Sequence, residues 1–158
     1  MRTDVKRRDW TLSAEGKEFA DPFLESVFFT GNGRMGARGY PAYRPIRRPL
    51  DAGLFLSGFY DRISDSTELT DLVNLPTPIW YQIRLNGRIP VFASPLHREL
   101  DLRTGLLTFS YRLETIDAWV EVREQRFFSL ARPSLLFQRL EFRGSGQLEV
   151  LAGIDHQS

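Results

Sequence analysis

The sequence predicts an all-β fold, an antiparallel β-sandwich, and three observations carry that prediction. Apolar and polar residues alternate with period two over several stretches of the second half, the pattern of strands with one buried face. Turn sequences separate these stretches at short, regular intervals. Aromatic residues make up 13% of the chain and include 12 Phe, a residue that suits the pleated, half-buried surface of a sheet. No stretch carries a convincing amphipathic-helix period.

The elements follow in chain order. Residues 1–24 are polar and read as an N-terminal arm, leaving 25–158 for the sandwich domain. Ser26-Val27-Phe28-Phe29-Thr30 is a short strand candidate that runs into the turn Gly31-Asn32-Gly33. Pro41, Pro45 and Pro49, set among Arg44, Arg47 and Arg48, forbid a regular helix and make a central strand implausible, so this is an extended loop. Leu54-Phe55-Leu56-Ser57-Gly58-Phe59-Tyr60 has strand length. In Ile79-Trp80-Tyr81-Gln82-Ile83-Arg84-Leu85 the last part alternates, with Tyr81, Ile83 and Leu85 on one face. Asn86-Gly87 then predicts a two-residue hairpin turn, because both central residues of that turn take positive φ. Arg88-Ile89-Pro90-Val91-Phe92 is the expected return strand, which Pro90 confines to an edge or a bulge. Leu107, Phe109, Tyr111 and Leu113 alternate with Thr108, Ser110, Arg112 and Glu114, and Ala118, Val120 and Val122 with Trp119, Glu121 and Arg123. Residues 126–129, 135–142 and 147–152 add further strands. Turns at 103–105, 131–134 and 144–146 separate them.

Composition narrows the function. The 158 residues fit one domain. Twenty-one Lys+Arg against 20 Asp+Glu leave a net charge of +1, so no bulk field recruits a nucleic acid. Nineteen of the basic residues are Arg, scattered along the chain and not clustered as a recognition patch would be. The chain has no cysteine, which removes disulfides, thiolate catalysis and thiolate-bound metals together. Only His97 and His156 carry imidazoles, too few for a histidine-rich metal site, and no metal or cofactor site is expected. The charged start lacks the apolar core of a signal peptide, and no apolar run approaches the roughly 18 residues of a membrane span. A cytoplasmic protein with no membrane partner is the default.

Four motifs carry possible chemistry. Gly31-Asn32-Gly33-Arg34-Met35-Gly36 matches the spacing of a dinucleotide-binding turn, with Asp51 downstream where a ribose-binding acid belongs. That motif needs a helix beginning at its glycines, and Gly39 with three prolines forbids one, so the glycines read as tight turns between packed backbones. Asp51, Asp61, Asp65, Glu68 and Asp71 form an acidic stretch with Arg62 as its counter-charge. Either it is a solvated loop, or it faces a sugar: Phe59 and Tyr60 offer aromatic faces to a pyranose and Asp61 a carboxylate to its hydroxyls. His97 lies beside Arg98, Glu99 and Asp101, and could serve as an acid–base group if a second catalytic residue stood near it. His156, after Asp155, lies near the end of the sequence, and neither histidine completes a triad. Trp119 falls on the polar register of its strand, either covered by a further layer or free to stack on a sugar.

Several collinear segments resemble the N-terminal domain of glycoside hydrolase family 65, which includes maltose, trehalose and kojibiose phosphorylases and related hydrolases. Residues 25–39, with Glu25-Ser26 before Gly31-Asn32-Gly33, then Gly36 and Arg38-Gly39, look like the family's opening segment. Leu56-Ser57-Gly58-Phe59-Tyr60-Asp61 and Leu72-Val73-Asn74-Leu75-Pro76 are similar to two further family segments, and residues 98–107 resemble its Leu-Asp-Leu-Arg-Thr-Gly hairpin. Arg126-Phe127-Phe128-Ser129 and Ala152-Gly153-Ile154-Asp155 match later strands. The resemblance spans about residues 20–155.

The resemblance implies a mutarotase-like super-sandwich, here incomplete, that partners an (α/α)6 barrel absent from this chain. In the family the barrel holds the general-acid glutamate and the phosphate site, so no catalytic residue carries over. The expected role is a non-catalytic module of an enzyme acting on α-linked glucose disaccharides, shaping the pocket rim and the assembly, and inactive alone. Phe59, Tyr60, Asp61 and Asn74 are the carbohydrate-facing candidates. The alternatives are a free-standing carbohydrate-binding module and a small sugar-converting enzyme with His97 as base. Unpaired strand edges and an apolar inner face would further predict a homo-oligomer.

Overall fold

The computed structural model describes residues 4–16, 21–43, 53–62 and 70–154. Pro45, Pro49, Asp51, Asp65, Glu68, Asp155 and His156 lie outside the described residues. The first strands are β1 (Lys6–Arg8) and β2 (Thr11–Gly16), followed by one short helix, α1 (Pro22–Val27). Next come β3 (Thr30–Gly31), β4 (Met35–Ala37), β5 (Leu54–Leu56), β6 (Tyr60–Arg62), β7 (Thr70–Leu72) and β8 (Tyr81–Leu85). The second half holds β9 (Val91–Phe92), β10 (Leu96–Asp101), β11 (Leu106–Glu114), β12 (Trp119–Phe128), β13 (Leu136–Gly144) and β14 (Leu148–Ala152).

The main sheet is antiparallel with the order β1-β2-β10-β11-β12-β13, and β9 pairs with the end of β11. Its inner face follows the alternation. Leu107, Phe109, Tyr111 and Leu113 are buried on β11, and Val120, Val122 and Phe128 on β12. Each such side chain contributes about 1.5–3 kcal/mol by leaving water. A second layer covers this face. It consists of the small sheet β3-β4-β5, the segment 38–43, and the ribbon in which β8 pairs with β14. The layers meet in an aromatic cluster. The Tyr43 ring lies 5.9 Å from Tyr81 and 6.3 Å from Tyr111, and Tyr81 sits edge-on to Phe142 at 6.2 Å. The Tyr81 and Tyr111 hydroxyls share a 2.5 Å hydrogen bond, and the Tyr43 hydroxyl donates to the Pro90 carbonyl at 3.0 Å. Burial raises the pKa of all three phenols, which stay protonated.

The all-β sandwich stands, with five local corrections. The stretch expected as a polar arm supplies β1 and β2, and β2 pairs along β10 from Leu96↔Gly16 to Asp101↔Thr11. Ser26 and Val27 are helical, not extended, because Asp21 caps α1: its Oδ1 accepts from the Phe23 and Leu24 amides at 3.0 and 3.1 Å, with Pro22 in the first turn. The run from 54 to 60 breaks at Ser57-Gly58 into β5 and β6. Residues 126–129 are no separate strand, since 126–128 continue β12. The Asn86-Gly87 turn forms as expected, with φ of 50° and 74° and paired Leu85 and Arg88 backbones. Its return strand does not follow. Pro90 has no N–H for a ladder and its carbonyl is taken by Tyr43, so Val91 and Phe92 pair with β11 and β8 finds β14 instead.

Candidate functional site

Chemistry-bearing side chains collect in three places: a charged layer inside the sandwich, a row on the outer face of the main sheet, and an exposed hairpin. The inner register of β12 continues past Val122 to Glu124 and Arg126, both fully buried. Both carboxylate oxygens of Glu124 accept from the Ala42 amide, at 3.0 and 2.9 Å. Arg126 Nη1 lies 3.8 Å from Glu124 Oε1, and Arg126 Nη2 donates to the Arg38 carbonyl at 2.7 Å. The Arg126 guanidinium also stands over the rings of Tyr40 and Phe109, at 5.0 and 5.2 Å. Burial pushes the Glu124 carboxyl up to about 7, against the opposing pull of Arg126 and the Ala42 amide. Arg98, on the inner register of β10, is equally buried; desolvation lowers its pKa, while Asp21 and Glu25 favour its charge. Glu25 is itself buried and lies 3.9 Å from Arg38. Glu124, Arg126 and Arg98 are wholly buried, so the layer ties the two halves of the sandwich together and offers a substrate no way in.

The glycine turn of residues 31–36 serves the same end. Asn32 Oδ1 accepts from the Arg34 and Met35 amides, and Asn32 Nδ2 donates to the carbonyls of Ser129 and Pro133 at 2.8 and 3.0 Å. Its amide is fully engaged, and it fastens the turn to the loop between β12 and β13. At Gly39 the N–H donates to the Glu25 carbonyl at 2.7 Å, and a Cβ would stand 2.7 Å from the Phe28 carbonyl oxygen. Only glycine allows that approach.

On the outer face of the main sheet, cross-strand register sets Glu15, His97 and Ser110 in one row. His97 Nδ1 lies 3.7 Å from Glu15 Oε1 and Nε2 lies 4.0 Å from Glu99 Oε2. The row lines an open groove of about 610 Å³ that also holds Ser94, Arg112, Arg123 and Glu141. Trp119 is half-buried on this face under the Arg112 guanidinium, 4.4 Å from the ring centroid, and that guanidinium is held by Glu114 at 2.6 Å.

The carbohydrate-facing candidates sit elsewhere. Phe59 and Tyr60 are 55% and 59% exposed at the start of the β6–β7 hairpin. Tyr60 pairs with Leu72, also exposed, and Asp61 with Asp71. The Val73 amide donates to the Phe59 carbonyl at 3.3 Å, so the segment with Asn74 runs beside Phe59. Asn74 Oδ1, however, is buried and has no hydrogen-bond partner among the described residues, while the two rings face solvent. Phe59 borders a depression of about 640 Å³ lined by Asn32, Gly33, Arg34, Leu56, Ser57 and Pro133. The hairpin thus stands next to the glycine turn, joining two segments that are distant in the sequence.

The family model for the N-terminal domain of glycosyl hydrolase family 65 matches residues 21–158. The chain belongs to this family. The trehalose 6-phosphate phosphorylase of Lactococcus lactis subsp. lactis (strain IL1403) is 25% identical over 121 residues, covering 70% of this chain and 16% of that protein. A solved structure described as "Putative kojibiose phosphorylase from human microbiome" superposes with a TM-score of 0.79 at 16% identity, over 92% of this chain and 21% of the other. The chain spans less than a quarter of either relative. In this family 65 domain, the opening segment adds Glu25 and the Arg38 carbonyl to the charged layer and forms the glycine turn, and the Phe59-Tyr60-Asp61 segment stays at the surface.

Proposed function

We propose that this chain is a non-catalytic β-sandwich module of a family 65 phosphorylase or hydrolase acting on α-linked glucose disaccharides. It packs on a separate (α/α)6 barrel, shapes the rim of that barrel's pocket and supports assembly. The observation that most supports this reading is the disposition of charge. Glu124, Arg126 and Arg98 are sealed between the layers, whereas His97 and its neighbouring carboxylates lie on an open sheet face. Inverting chemistry needs a general acid held against the scissile bond, with phosphate or a positioned water on the opposite face of the sugar. A cytoplasmic setting belongs to the same reading, and among the described residues no helix is long and apolar enough to cross a membrane. Purified chain, incubated with phosphate and maltose, kojibiose or trehalose, releases no glucose 1-phosphate and no free glucose on this account. Turnover abolished by His97→Ala would contradict it and favour the small-enzyme alternative.

A second reading, carbohydrate binding by the module itself, draws on the exposed Phe59 and Tyr60 rings beside Asp61. Calorimetry separates the two. Saturable heat with a disaccharide, lost in Tyr60→Ala, supports binding, and silence across the same sugars removes it.

A further inference from the structure

The depression beside the glycine turn has a lining that favours one kind of ligand. Its available polar groups are donors. Arg34 is exposed there and forms no ion pair among the described residues, whereas Arg38, Arg112 and Arg126 each stand beside a glutamate. Ser57 adds an exposed hydroxyl, and the Gly33 amide has no acceptor among the described residues. Asn32 lines the same depression, but its side-chain amide is spent on the turn and on the carbonyls of Ser129 and Pro133. No carboxylate belongs to the lining, since Asp61 lies beyond it on β6. The rest is apolar: Leu56, Pro133 and the exposed ring of Phe59. Main-chain pairing holds these groups in place. The Ser57 amide donates to the Arg34 carbonyl at 2.8 Å, extending the Met35↔Leu56 pairing of β4 and β5, and the Phe59 amide donates to the Leu56 carbonyl at 3.2 Å.

We propose that this depression binds a phosphorylated sugar, with the phosphate on Arg34 and the sugar ring against Phe59. A phosphate presents several acceptor oxygens, and the planar guanidinium fork takes two of them at once. The Ser57 hydroxyl and the Gly33 amide are further donors on the same lining. The C–H face of a pyranose packs on the Phe59 ring, and its hydroxyls stay in water. A neutral sugar fits less well. Its hydroxyls donate as well as accept, and the lining has no carboxylate to receive them. Sites for small ligands hold about 300–1,000 Å³, and this depression, at about 640 Å³, falls within that range. The anion site is open to solvent, so its attraction for phosphate weakens as salt is added.

The inference goes beyond the two readings above and fails separately from them. Silence with neutral disaccharides removes sugar binding through Tyr60 and leaves this site untouched, because its ligand carries a charge. The test is calorimetry of the chain at low ionic strength with glucose 6-phosphate, glucose and inorganic phosphate. Glucose 6-phosphate is expected to bind saturably, about tenfold or more tighter than either of the other two. Arg34→Gln removes most of the advantage over glucose, and Phe59→Ala most of the advantage over phosphate. Both side chains are exposed, so neither change disturbs the fold. Amide spectra of the parent chain cover the case of an altered variant, since the Gly33, Ser57 and Phe59 resonances must move as glucose 6-phosphate is added. Absence of saturable binding, equal affinity for glucose or for inorganic phosphate, an affinity unchanged in Arg34→Gln, or shifts confined to other residues overturns the proposal.

Discussion

Residues 25–39 and residues 56–61 both carry the family resemblance, and the fold treats them in opposite ways. The first segment is tied into the fold at several points: Glu25 and Phe28 are buried, Asn32 spends its whole amide on four hydrogen bonds, and the Arg38 carbonyl holds Arg126. The second ends on Phe59 and Tyr60, two aromatic rings more than half exposed. Large rings left in water contribute little to holding the domain together. A recurring segment can therefore mark either architecture or a surface kept for something outside the domain, and burial distinguishes the two.

The comparison breaks most sharply at Arg126. Arg126→Met leaves Glu124 buried without its cation, so the carboxyl must carry an uncompensated charge or take up a proton, and the change costs about 3–5 kcal/mol of unfolding free energy by denaturant titration above neutral pH. If Glu124→Leu is added, much of that loss returns, because two apolar side chains replace a charge pair whose desolvation was already costly. A small loss in the single variant would mean that the charged layer does not tie the two halves together.

Asn32→Ala is the next largest. It strips the hydrogen bonds from the carbonyls of Ser129 and Pro133 and from the turn amides, and costs about 1–3 kcal/mol. Hydrogen exchange should rise in the 129–134 loop before it rises in β11.

The pH dependence sharpens the same contrast. The folded pKa of Glu124, about 7, lies above that of an unfolded glutamate. Its contribution is therefore fully present below the ordinary glutamate range and is lost as pH rises through about 7. The stability of the parent chain relative to Glu124→Gln, which does not titrate, should fall between about pH 4.5 and 7 and then level off. A difference that grows with pH would mean that Arg126 and the Ala42 amide outweigh burial.

Much of the sandwich was legible because period two is a local signal: Leu107 to Leu113 and Ala118 to Val122 declare their inner face without help from the rest of the chain. The charged layer was not. Glu124 and Arg126 keep the register of Val120 and Val122, yet a buried charge is credible only when its partners are known. Those partners, Ala42 and Arg38, lie 82 and 88 positions away. The α1 helix was missed for the opposite reason. Asp21-Pro22 is a good helix start, but six residues are too few to express a helical period. At Asn86-Gly87 the turn was readable and the partner of β8 was not, since β14 reaches it from more than sixty residues away. The exposed segment was legible in chemistry alone: an aromatic pair beside a carboxylate suggests a sugar or a docking face, and nothing in the spacing chooses between them.

The most direct test of this division is the unfolding free energy of Phe59→Ala/Tyr60→Ala set beside that of Arg126→Met under identical conditions. The account predicts a change within about 0.5 kcal/mol for the surface pair and several kcal/mol for the buried arginine. Equal losses in the two variants, or a stable domain without Arg126, would contradict it.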